Sequence, residues 1–192
     1  FISEYVEPDG GNNKAIEIVN LTSGAVDLTG YSIKKQSNGG GDWINELDLS
    51  SGAVQSIVSG DVFVIIHGDA NAQDLIDNAD LVHQSVSGVW GAPINFNGND
   101  PVGLFKDGVL IDIVGTFGDG GSFGQNITLR RKSTVSSPNT TYTVNEWDSF
   151  AANTFDGIGS HSATLSVSEN SLENFQVYPN PNNGNTLFFN TT

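Results

Sequence analysis

The chain has 192 residues, enough for one domain of ordinary size plus a tail. Only 7 cationic side chains stand against 22 acidic ones, and the resulting net charge of −15 argues against nucleic acid or an anionic membrane as partner. With no Cys there is no disulfide or thiolate site, and no apolar run reaches the ~18 residues that a membrane-spanning helix needs.

Phe1 to Glu7 alternates apolar and polar residues, and Asp9-Gly10-Gly11-Asn12-Asn13 makes a turn before the strand Ala15-Ile-Glu-Ile-Val19. Gly24 and Asp27 interrupt the chain ahead of a short strand, Tyr31-Ser-Ile-Lys34, and a flexible loop from Asn38 to Asp42. Trp43 to Leu49 resumes the alternation. Asp61-Val-Phe-Val-Ile-Ile66 is a continuous apolar run, the pattern of a central strand covered on both faces. Asn71 to Ala79 is the best helix candidate, with Ala72, Leu75, Ile76 and Ala79 at helical spacing, and Leu81-Val-His83 follows as a strand. Val102-Gly-Leu-Phe-Lys106 and Val109-Leu-Ile-Asp-Ile-Val114 flank Asp107-Gly108, a strong hairpin signal because a type I′ turn needs positive φ at both central residues. Ile127 to Arg131 is a further strand, and Glu146-Trp147 is expected to close the globular part. Ser160 to Asn174 is Ser-rich and reads as a linker with a short strand attempt at Ala163 to Val167. Seven to nine short strands separated by Gly-rich turns describe an all-β sandwich.

Phe1-Ile-Ser-Glu-Tyr-Val-Glu7, Asn13-Lys-Ala-Ile-Glu-Ile-Val-Asn20 and Val26-Asp-Leu-Thr-Gly-Tyr31 resemble the start of a bacterial lamin-tail domain. Asn95-Phe-Asn-Gly-Asn-Asp100, Gly103-Leu-Phe-Lys-Asp-Gly108, Ile111-Asp-Ile-Val-Gly115 and Thr128-Leu-Arg-Arg-Lys132 before Glu146-Trp147 are similar to its later half. The resemblance spans residues 1–161 and implies an immunoglobulin-like β-sandwich. It also implies an accessory module that accompanies secreted enzymes and brings no catalytic set of its own.

After a linker over 162–174, Phe175-Gln-Val-Tyr-Pro-Asn-Pro-Asn-Asn-Gly184 resembles the opening of the C-terminal sorting domain of the type IX secretion system in Bacteroidetes. That resemblance, over residues 175–192, implies a protein exported to the cell surface or beyond, whose tail meets the secretion machinery. The sorting domain would be cut short at Thr192, and Phe1 is expected to start a mature protein, since it is not Met and no signal peptide precedes it. Leu187-Phe188-Phe189, without further strands, is expected to be disordered or to borrow a sheet edge from the sandwich or a neighbouring molecule.

Local chemistry explains several of these residues without any ligand. Glu17 and Asn20 near a strand end can cap backbone groups, Gly30 and Gly115 suit positive φ, and Asp112 inside an apolar strand must face solvent or accept hydrogen bonds. His67, His83 and His161 lie far apart, with His67 expected on the surface or half-buried, and no nucleophile or zinc motif occurs. No catalytic residue is therefore assigned, and any catalysis is expected in a neighbouring domain.

Asp9, Asp42, Asp69, Asp100 and Asp119 sit in Gly/Asn turns where carboxylates can converge on a structural Ca²⁺, although Asp also favours turns for its own backbone bonds. Arg130-Arg131-Lys132 either grips an anionic partner group or charges an edge strand against aggregation. On a strand, Arg131 shares a face with Ile127 and Leu129, opposite Arg130 and Lys132. Trp43, Trp90, Trp147, Phe117 and Phe123 are candidate exposed aromatics for stacking. The ligand-binding candidates are Trp90, Phe117, Phe123, Arg130 and Arg131, and the metal candidates are Asp9, Asp42, Asp100 and Asp119. The function expected is a non-catalytic extracellular module that binds a protein or glycan at the cell surface. The alternatives are a carbohydrate-binding module using the loop aromatics, and a hydrolase fragment with a carboxylate-metal site.

Overall fold

A computed structural model describes residues 1–86 and 88–164, with the backbone of two short strands at 176–178 and 188–190. In chain order the elements are β1 (Ile2–Val6), β2 (Ala15–Val19), β3 (Val26–Asp27), β4 (Tyr31–Lys35), β5 (Ile44–Asp48), β6 (Ser56–Ile57) and β7 (Val62–His67). Helix α1 (Gln73–Asn78) follows, then β8 (Leu81–His83), β9 (Ser85–Val86), β10 (Val89–Trp90), β11 (Val102–Lys106) and β12 (Val109–Val114). The remaining strands are β13 (Ile127–Arg131), β14 (Trp147–Ala151), β15 (Gln176–Tyr178) and β16 (Phe188–Asn190).

Two main sheets make a sandwich, one of six strands in the order β14-β13-β1-β2-β7-β8 and one of four in the order β12-β11-β4-β5. Pairing in both sheets is antiparallel except for β7 with β8, which run parallel across the connection that carries α1. Ile2, Tyr5, Ile16 and Phe63 of the large sheet share one core with Ile33, Leu104 and Val114 of the small one. A second cluster covers the outer face of the large sheet, where Val6, Ala15, Val64 and Ile66 meet Leu75 of α1 and Ile158. The double cover explains why β7 is an unbroken apolar run, and it also buries every residue of β1 and β2.

Local signals were faithful. Asp107 and Gly108 adopt φ of 50° and 79° between β11 and β12, and Gly30 and Gly115 have φ of 75° and 82°. Asn20 caps the loop after β2, its amide donating to the carbonyls of Gly24 and Ile57 at 2.8 Å each.

Long-range features departed from expectation. The chain does not close at Trp147, which instead opens β14, and the strands of the two main sheets exceed nine. Strand β13 is not an edge, because β14 and β1 flank it. His67 is only 1% exposed, because Gly91 packs directly against its ring. Ala163 and Thr164 form no strand, and the rest of that strand attempt lies outside the described residues. Among the described residues, Phe188 and Phe189 pair with β15 and not with an edge of the sandwich: β16 runs antiparallel to β15 in a sheet of two strands. Pro179, Asn180, Pro181 and Leu187 lie outside the described residues.

Candidate ligand-binding cleft

The large sheet has two strands more than the small one, and β13 and β14 form one margin of it. Loops cover that margin incompletely and leave a cleft of about 510 Å³. Its floor is Ile127 and Leu129 of β13 with Trp147 and Ser149 of β14, all on one face by the strand period. One wall is the loop after β12, with Thr116, Asp119, Ser122 and Phe123; the other carries Tyr142 and Val144.

The wall formed by the loop after β12 is fixed by bonds within the loop and to distant segments. Gly118 N–H donates to Gln36 Oε1 at 2.7 Å, and Gly121 N–H to Asp119 Oδ1 at 2.8 Å. Phe123 and Gly124 both donate to the Gly98 carbonyl at 2.9 Å. Three rings continue one another along the cleft: Phe123 to Tyr142 at 5.6 Å and Tyr142 to Trp147 at 6.4 Å between centroids. Burial raises the Tyr142 phenol above its ordinary pKa, against a smaller opposing pull from Arg131, so the ring is neutral at physiological pH. Arg131 underpins the floor: its guanidinium lies 4.6 Å from the Trp147 ring and meets Asp112 at 2.6 Å.

The candidates from sequence are scattered by this geometry. Phe123 and Asp119 both line the cleft, but Phe123 is anchored against Tyr5 at 5.6 Å. Phe117 turns away to pack on Trp43 at 5.0 Å. Trp90 stands elsewhere, half-exposed, with its indole N–H donating to Asp69 at 2.7 Å. Arg131 is buried and cannot grip a partner, and Arg130 is spent on Glu4 and Asp156. Trp147 is 5% exposed and floors the cleft where an exposed ring was expected.

Among the metal candidates, Asp9 and Asp42 are exposed loop residues, and Asp100 is buried against Lys35 at 3.3 Å. Among the described residues no three carboxylates or imidazoles come together to hold a metal ion. Tyr142, Ser149 and Thr116 were not singled out from sequence, because nothing local marks a loop tyrosine or a strand serine as neighbours.

A family model, the Lamin Tail Domain, matches residues 1–118. The chain belongs to the lamin tail domain family. No curated protein and no solved structure matches the chain. The lamin tail domain is an immunoglobulin-like sandwich and generally a non-catalytic module. Its matched part holds β1 to β12, while β13 and β14 continue the same sheet beyond it. The cleft thus joins Thr116 of the matched lamin tail residues to Phe123, Tyr142 and Trp147 beyond them. Among the described residues no helix is long and apolar enough to cross a membrane.

Proposed function

We propose that this lamin tail domain is a non-catalytic binding module of an exported bacterial protein, and that the cleft at the β13–β14 margin holds a neutral saccharide. The observation that carries this reading is the convergence of Phe123, Tyr142 and Trp147 with the side chains of Thr116, Asp119, Ser122 and Ser149. Aromatic rings offer apolar platforms for the C–H faces of a sugar, while hydroxyls and a carboxylate satisfy its OH groups. Among the described residues no cation lines the cleft, and the chain carries −15 overall, which disfavours an anionic ligand.

The test is calorimetric titration with soluble neutral oligosaccharides of glucose, xylose, mannose and galactose. Saturable binding is expected with at least one, weakened about tenfold (~1.4 kcal/mol) by Tyr142→Ala. Binding that Tyr142→Ala leaves unchanged, or none across the panel, overturns the saccharide reading.

Export is supported by the sorting-domain resemblance of residues 175–192, above all Tyr178-Pro179-Asn180-Pro181. Replacing those four residues by alanine in the full-length gene should hold the protein in the periplasm, as followed by cell fractionation. Unchanged delivery to the surface would remove that part of the proposal.

A further inference from the structure

After β14 the chain doubles back over the outer face of the six-stranded sheet. Thr154 accepts a hydrogen bond from Thr128 Oγ1 of β13 at 3.0 Å, and Gly159 N–H donates to Glu17 Oε2 of β2 at 2.8 Å. Between these ties, Ile158 packs into the cluster of Val6, Ala15 and Val64, with Phe155 against it. Gly157 lies so close to the Arg130 guanidinium and the Glu4 carboxylate that a Cβ there would overlap both. Residues 154–160 are therefore a strap fitted over three strands.

The seat of the strap is electrostatically short of positive charge. Glu4 and Glu17 are register partners on β1 and β2, 2% and 1% exposed. Arg130 of β13 is the cation that meets them, through Glu4 at 3.0 Å, and it is shared with Asp156 of the strap. Asp148 of β14 lies opposite Arg130 and is paired with Lys132 at 3.8 Å. Strand β7 presents Val64 beside Glu17, and α1 presents Asn78 against Gly159; neither side chain titrates. Glu17 is otherwise held by Ser3 Oγ at 2.6 Å, while Glu4 Oε1 is buried and finds no hydrogen-bond partner among the described residues. Two charged carboxylates side by side in such a site repel each other and lack solvent to relieve them.

We propose that the strap is a proton-controlled latch: it seats when the Glu4–Glu17 pair holds a proton, and lifts from the sheet when both carboxylates are charged. Lifting uncovers the apolar surface of Val6, Ala15 and Val64.

Burial raises Glu4 to about 7 against the attraction of Arg130, and raises Glu17 to about 7 against its hydrogen bonds from Ser3 and Gly159. A lifted strap returns both groups toward the ordinary value of 4.5. Between those values the seated state binds protons that the lifted state does not, so acid favours seating and the preference is lost as pH rises through about 7.

Hydrogen exchange of the full chain at pH 5.5 and 8.5, corrected for intrinsic exchange rates, tests the latch. Amide protection over 154–160 is expected to fall at least tenfold at pH 8.5, with the β2–β7 ladder unchanged. E17Q removes one charge while its amide oxygen still accepts from Gly159, so the strap should stay protected at pH 8.5; E4Q should do the same by relieving the other partner. Equal protection of the native chain at both pH values, or pH-dependent loss undiminished in both variants, overturns the proposal.

Discussion

Among single residues, Arg131 and Asp112 organise the most structure. Asp112 is fully buried, yet every demand of its carboxylate is met: it accepts from Arg131 at 2.6 Å, from Ile2 N–H at 2.7 Å and from Asn139 N–H at 2.8 Å. The pair thereby ties β12 of the small sheet to β1 and β13 of the large one and supports the cleft floor through Trp147. Removing the guanidinium strands a buried charge, so Arg131→Met should destabilise the fold by about 3–5 kcal/mol in urea unfolding. Adding Asp112→Asn to that variant should restore part of the loss, because the remaining group is neutral. A single variant costing under about 1 kcal/mol, within the range of an exposed pair, would show that the bridge is not what joins the sheets.

At the scale of elements, turns and strand ends differ in how far their demands reach. Gly108 has φ of 79° with open space around its Cα, and Gly115 has φ of 82° with the Phe123 ring where a Cβ would stand. Gly108→Ala should therefore cost only the ~1–2 kcal/mol of a left-handed backbone. Gly115→Ala should cost about 3 kcal/mol or more, because Phe123 must move and the cleft wall with it. Comparing the two by urea midpoint separates backbone strain from collision; equal losses would mean the ring yields freely. The hairpin at Asp107-Gly108 was legible in sequence because its requirement is confined to two residues. The interior position of β13 was not, since Arg130-Arg131-Lys132 looks the same on an edge strand as beside β14.

For the whole molecule, the dominant facts are one core shared between two sheets and a charge of −15. Net repulsion destabilises a compact acidic body, while its buried pairs, such as Lys14 with Glu7 at 2.9 Å, are screened little by salt. Raising NaCl from 20 to 300 mM should accordingly raise the thermal midpoint. A midpoint that falls would mean that exposed attractive pairs outweigh the general repulsion.

Composition, turn chemistry and apolar periodicity by themselves determined that this chain is an all-β sandwich with a hairpin at Asp107-Gly108 and a doubly covered strand within the run Asp61–Ile66. These are properties of neighbours in the chain, set by φ preferences and a period of two. Tertiary structure decided the charges and the cleft. Whether Glu4, Glu17 and Arg131 face water or the interior depends on strand order and on a strap folded back from residues 154–160. The gathering of Phe123, Tyr142 and Trp147 likewise depends on loops brought over the β13–β14 margin of the large sheet. Such facts arise from register and layering, which link residues that no local pattern connects.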